Sequence, residues 1–352
     1  MTRAYNTATT QQNSGGAVPP FTVGKNAIIN GDFFINQRNF TSNTTDTAYN
    51  FDRWLQQNFG GTYTITPQTF TPGAAPVAGY EGRKYLQAIT ATQSAAGHLA
   101  IITQRIEDAT RFAGQTVTIS FWAKANTGTP KIGVEMWRDY GTGGSPTTAE
   151  SVTQSSVTLT TSWARYSVTA AVPSISGKTL GTTANTSYLE LNLWQSAGAN
   201  YNSRSSTTGI QNFTLSLWGV QVEAGSVATP FQTATGTIQG ELAACQRYYT
   251  RFGGTIYNAI GTGVYVATTV CRIFIPMPVF MRTAPTLSNS TASDFGIFNG
   301  SGNDQASGLS ANSLDVNSAA LDLTVTTRTA GIGGILNTRT NSSAFIAFSS
   351  EL

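Results

Sequence analysis

Histidine occurs once in this 352-residue chain, at His98, and cysteine twice, at Cys245 and Cys271. Two cysteines make neither a disulfide framework nor a metal knuckle, so both read as reduced structural thiols. A histidine zinc site or a Ser-His-Asp arrangement would rest wholly on His98, at the start of AGHLAII, where an ordinary edge-strand role is the expectation. Charge is also scarce: Asp, Glu, Lys and Arg make up 11 % of residues, with a net charge of +3, against about 25 % charged in ordinary soluble domains. No window strings Lys and Arg together with aromatics, which argues against a nucleic-acid surface. A run of about 18 apolar residues is missing, and Met1 to Gly24 has no apolar signal core, so neither a membrane span nor secretion is expected. Release by lysis suits such a chain. Catalytic signatures are missing too: there is no G-x-S-x-G, no Gly-rich phosphate loop leading from strand to helix, and no histidine pair on a helix. The short repeat of a parallel β-helix, the usual scaffold for a pair of glycan-cleaving carboxylates, is absent. Glu107 with Asp108, or Glu135 with Glu190, has no spacing that lifts it above solvated strand residues, and the chain reads as a non-enzyme.

What the chain has is turn-rich β composition. Thirty-five glycines and abundant Ser, Thr and Asn accompany 40 % apolar and 11 % aromatic residues, enough for packed cores rather than disorder. The length suits about two domains. The strand patterns VTISFWAK (Val117 to Lys124), KIGVEMWR (Lys131 to Arg138), SVTQSSVTL (Ser151 to Leu159), WARYSVTAAV (Trp163 to Val172) and YLELNLWQ (Tyr188 to Gln195) are separated by turns and glycine-rich loops. They describe an antiparallel sandwich. Its closing strand is NFTLSLWGVQV, with Gly219 marking a bulge and Gly225 and Pro230 ending the pairing. By alternation, Val117, Ile119, Phe121 and Ala123, with Ile132, Val134 and Met136 and with Leu189, Leu191 and Leu193, form the inter-sheet core.

On the opposite parity stand Trp122, Trp137, Trp194 and Trp218, beside Glu135, Glu190 and Asn192. Flat rings beside carboxylates and amides suit stacking on a sugar ring with hydrogen bonds to its hydroxyls. The competing reading, which weighs more, is an interface: the face is covered by the loop Phe59 to Arg83, by the second domain or by a neighbouring subunit.

Residues 1–25 are polar, small and without periodicity, which predicts an extended tether, either a frayed terminus or an N-terminal anchor that orders on a partner. Residues 26–34 read as a first strand, with a turn or bulge at Asn30 and Gly31. Thr235 to Arg251 reads as the one helix, with Ile238, Leu242, Cys245 and Tyr249 as a seam that packs on a sheet or on its own copies around a three-fold axis. From residue 253 the pattern returns to β, with Pro276, Pro278 and Pro285 confining IPMPVFMRTAP to an edge or connection. The expected architecture is therefore all-β: an anchor (1–25), an antiparallel jelly-roll β-sandwich (26–234), a linking helix (235–252) and a second, smaller β-sandwich (253–352).

The segments NAIINGDF (Asn26 to Phe33), NFDRW (Asn50 to Trp54), QRIEDATRFAGQTVTISFWAKA (Gln104 to Ala125), SWARYSVTAAVPSISGKTLGT (Ser162 to Thr182), NFTLSLWGVQVEAGSVATPF (Asn212 to Phe231) and ELAACQRYY (Glu241 to Tyr249) together resemble a family of bacteriophage tail-fibre-type virion proteins. The N-terminal module of that family resembles a galactose-binding or carbohydrate-module jelly roll. The resemblance covers roughly residues 26–250 and implies a homotrimeric structural protein of the virion. It also implies attachment to other virion proteins through the N-terminal segment and adhesion to host-surface glycan. An architectural head or tail decoration protein, or a carbohydrate-binding module, is the alternative. In modules of this resemblance a structural calcium can sit near the chain ends, which makes Asp32 and Glu223 its candidate carboxylates, although two acids without a ligand loop are a thin ligand set. No other cofactor is implied.

Overall fold

The computed structural model describes residues 24–352 apart from Ala78, Gly79, Ser301 and Thr327, so most of the expected anchor lies outside the described residues. Its first eleven strands are β1 (Ala48–Tyr49), β2 (Leu55–Phe59), β3 (Thr62–Thr69), β4 (Lys84–Ala91), β5 (Leu99–Glu107), β6 (Thr116–Ala125), β7 (Lys131–Asp139), β8 (Glu150–Thr158), β9 (Ala164–Ala171), β10 (Tyr188–Ala197) and β11 (Thr214–Ala224). They form two antiparallel sheets, ordered β1-β2-β5-β10-β7-β8 and β3-β4-β11-β6-β9. The fold is an all-β jelly-roll sandwich, and the alternating residues of β6, β7 and β10 named above are all buried between the sheets, together with Leu215, Leu217, Val220 and Val222. The bulge at Gly219 is present: the register slips between Trp218 and Gln221, and Gly219 takes φ +65°. The extra residue lets Leu217 and Val220 both point inward while Trp218 points out.

Residues 26–34 do not form the expected strand. The segment meets β11 in only two single backbone bonds, from Ala27 N–H to the Val222 carbonyl and from Val220 N–H to the Gly31 carbonyl. The chain then turns because the Asn30 side chain occupies the backbone, accepting from Ile35 N–H and donating to the carbonyls of Ile35 and Asp52. This is local side-chain competition with strand pairing. Gly31 is required there, since a Cβ would lie 2.2 Å from the Val220 oxygen.

A short helix, α1 (Asn202–Ser205), follows β10, and the longer α2 spans Ile238–Gln246. Helix α2 is shorter than its pattern suggests. Thr237 caps it by accepting from Gly240 N–H, and Tyr249 already belongs to β12. The expected seam is thereby broken: Cys245 is fully buried inside its own chain, Tyr249 is a strand residue under the Arg38 guanidinium, and only Ile238 is well exposed. A continuous stripe for a three-fold axis is not present on α2.

The remaining strands are β12 (Tyr249–Gly253), β13 (Ala259–Ala267), β14 (Val270–Pro276), β15 (Thr286–Asn289), β16 (Phe295–Phe298), β17 (Asn303–Gln305), β18 (Gly308–Leu314), β19 (Ser318–Thr324), β20 (Gly333–Thr338) and β21 (Phe345–Ser349). A sheet ordered β12-β21-β15 packs on one ordered β17-β16-β20-β13-β14-β19-β18, around Tyr265, Ile273, Leu321, Leu336 and Phe348. The two sandwiches are joined by charge. Arg247 makes a two-pronged bond to Glu107 at 3.0 Å on both arms. The chain's last residues insert between Arg38, Arg53, Arg105 and Arg282.

Candidate functional site: the outer face of the six-stranded sheet

The four tryptophans do stand opposite the core parity, but they do not share one surface. Trp137 and Trp194 belong to the six-stranded sheet, Trp122 and Trp218 to the five-stranded one, so they face away from each other on the two outsides of the sandwich. Alternation says whether a side chain points in or out and is silent on which sheet carries it.

On the five-stranded sheet, Trp218 is fully buried and packs with Phe70, Tyr80 and Phe231, with Trp122, Tyr85 and Trp163 at its margin. These partners come from the loop after β3 and the segment after β11, so part of the loop expected to cover the tryptophan face does cover it. Trp218 is core to a small aromatic cluster, and its ring is closed to solvent.

The other five residues of the expected face come together on the six-stranded sheet. Cross-strand register aligns Trp137 with Glu190 and Arg105 in one row, and Glu135 with Asn192 and Thr103 in the next. Behind them Trp194 is fully buried and stacks against Tyr201 at 5.6 Å. The polar groups satisfy one another. Glu135, with no exposure, accepts from both arms of Arg204 at 2.8 and 3.0 Å, from Trp194 Nε1 at 3.0 Å and from Asn192 Nδ2 at 3.2 Å. Asn192 also donates to Glu190 and accepts from Thr103, and Glu190 in turn holds Arg105 Nε at 2.8 Å. Glu135, Glu190, Asn192 and Trp194 are therefore the fixed base of this face. The groups left to meet a ligand are the half-buried Trp137 ring and the two guanidiniums, Arg204 at 4.1 Å over Trp137 and Arg105 at 4.6 Å over Tyr188.

Arg105 was readable by parity, since in β5 it alternates with Ile102 and Ile106, which are core. Arg204 was not: it comes from α1, in the loop between β10 and β11, where no periodicity announces which sheet the loop will fold onto.

The two candidate metal ligands are in different settings. Glu223 is fully buried and spends its oxygens on Lys25, Thr229 and Gln221. Burial pushes its carboxyl up, and the hydrogen bonds from Thr229, Gln221 and Lys25 outweigh burial and hold it below the usual range. Asp32 is raised to about 6, first by burial and then by neighbouring Glu241. Among the described residues no three His, Cys, Asp or Glu side chains gather as a metal site. His98 accepts from Ser94 N–H and packs on Gly60.

No family model matches the chain, and no curated protein matches it. Similar solved structures include one described as "CBM4 structure and function", 18 % identical over 56 % of this chain and 98 % of that one, with a TM-score of 0.30. A second is a putative sugar binding protein from Bacteroides thetaiotaomicron VPI-5482, 13 % identical over 57 % of this chain and all of that one, at 0.35. A third, TmCBM61 in complex with beta-1,4-galactotriose, is 10 % identical over 57 % and 99 %, at 0.28.

Proposed function

We propose that this chain is a non-catalytic glycan-binding structural protein, of the tail-fibre type of a tailed bacteriophage, that recognises host-surface glycan on the outer face of its six-stranded sheet. The observation that carries the reading is the fixed group of Trp137, Arg204 and Arg105: the Arg204 guanidinium lies over the Trp137 ring, Arg105 stands beyond Glu190 in the same cross-strand row, and their counter-charges, Glu135 and Glu190, are locked beneath them. Such a row offers a flat apolar surface and fixed donors for hydroxyls or acidic groups, with little left to order on binding. What supports a place in a virion is the resemblance carried by the sequence motifs at residues 26–250. Homotrimerisation and an anchor in residues 1–25 belong to the same reading.

Trp137→Ala tests the site. It should weaken binding on a glycan array by about fivefold, the scale of an aromatic contact of order 1 kcal/mol, with thermal unfolding little changed. An unaltered array pattern would remove this face as the site. Trp194→Ala cannot serve, because that ring is core. For the trimer, sedimentation of the full chain at micromolar concentration should give three times the monomer mass, and a monomer that persists on concentration would refute it.

A second reading, an architectural head or tail decoration protein, is favoured by a different feature. On the seven-stranded sheet Phe298, Ile335, Thr262 and Phe274 lie in one cross-strand row, and Phe274 and Phe298 are each about half exposed. An apolar row of this kind suits an assembly contact. Locating the protein on the particle with labelled antibody separates the two readings.

A further inference from the structure

A cleft lies where the turn at Asp32, the loop at Tyr80 and the start of α2 meet. Its inner lobe, of about 90 Å³, is lined by Asp32, Phe34, Ile35, Tyr80, Thr237 and Glu241 among others. An outer lobe of about 300 Å³ shares Asp32, Phe34, Tyr80 and Ile238 and adds Glu81, Gly82 and Arg83. The outer lobe reaches the lower end of the range of about 300–1,000 Å³ typical of small-molecule sites.

Two features of its lining point to a ligand. Asp32 is the loosely held acid: its oxygens accept from Phe34 N–H and from the Tyr80 hydroxyl, both at 3.4 Å, the outer limit of a hydrogen bond. Its neighbour Glu241 is bound tightly by Asn30 N–H, Thr235 N–H and the Thr235 hydroxyl at 2.7–3.0 Å. Asp32 thus retains acceptor capacity that the protein does not use. The walls themselves are apolar and partly aromatic: Phe34, Ile35, Tyr80 and the half-exposed Ile238.

We infer that this cleft holds a single terminal sugar ring. Asp32 accepts from two of its hydroxyls, Arg83 donates at the outer lobe, and Phe34 and Tyr80 flank the ring's C–H faces. The inference rests on the glycan reading and deepens it: the open Trp137 row takes an extended chain, and the cleft reads a chain end.

The test is saturation-transfer NMR on the full chain with methyl glycosides of galactose, glucose and N-acetylglucosamine at millimolar concentration. At least one should bind saturably, and Asp32→Asn should weaken it about tenfold, as expected for a hydrogen bond to a charged group. Ile238→Trp, at an exposed position, should block the cleft without unfolding, and Trp137→Ala should leave this binding intact. The inference is overturned if no methyl glycoside saturates, if Asp32→Asn and Ile238→Trp both leave the affinity unchanged, or if Trp137→Ala alone abolishes it. Oligosaccharide binding that survives Ile238→Trp and is lost in Trp137→Ala would sink the cleft while sparing the proposed function. Failure of every saccharide at both places would sink both.

Discussion

Replacing Glu351 by alanine is expected to cost about 3–5 kcal/mol of stability, the scale for removing one partner of a buried ion pair. Glu351 is the counter-charge of Arg53, a guanidinium with 1 % of its side chain exposed. Arg53 lies 3.4 Å from the Tyr248 ring and carries an Nε with no partner of its own. Glu351 also binds Arg38 at 3.1 Å, and its carbonyl accepts from Arg282 at 2.9 Å. Burial alone would push the Arg53 guanidinium toward deprotonation, and Glu351 more than reverses this, holding it above its ordinary range. Without Glu351 a buried positive charge stays in the junction between the sandwiches with nothing opposite it. Chemical or thermal unfolding of the variant checks the expectation, with loss of coincidence between the two sandwiches' transitions as a secondary sign. A useful control is Lys178→Ala, which removes an exposed pair with Glu150 and should leave the midpoint where it is. If Glu351→Ala behaves like that control, the junction is not held by this charge.

How much of this was open to a reader of the sequence follows from distance along the chain. The core of β6, β7 and β10 was legible, because period-two alternation over eight or more residues survives any tertiary arrangement. The bulge at Gly219 was legible for the same reason, as a break in that alternation. Which sheet each strand joins was not, and for that reason the four tryptophans read as one surface when they are two. The helix was over-extended because Tyr249 continues the apolar step of Leu242 and Cys245, whereas its backbone is claimed by pairing with Ser349, a residue one hundred positions away. Tertiary pairing overrides a local pattern in such cases. The N-terminal strand was lost to the Asn30 side chain, a polar residue whose partners at Ile35 and Asp52 no pattern announces. The pairing of Arg53 with Glu351 spans 298 positions, so nothing local to either residue marks it.

The site's own foundation gives the second large effect. Glu135→Ala should destabilise the chain by about 3–5 kcal/mol and abolish glycan binding at the Trp137 row together with it. The glutamate has no exposure, and its two oxygens serve Arg204, Trp194 Nε1 and Asn192 Nδ2 at once. Alanine strands the indole N–H in a buried setting, leaves the Asn192 amide with Glu190 alone of its two acceptors, and frees Arg204 from the position where it caps Trp137. Glu135→Gln separates the two consequences. Its amide oxygen can still accept from Trp194 and Asn192, so much of the fold's stability should return. The charge that holds both arms of Arg204 is gone, so the guanidinium loses its fixed place and binding should stay weak. Unfolding measurements and array binding on the two variants give the answer together. If Glu135→Gln restores stability and binding alike, Arg204 is not part of the recognition surface. If it restores stability and leaves binding impaired, the charge under the tryptophan row is what prepares that row for its ligand.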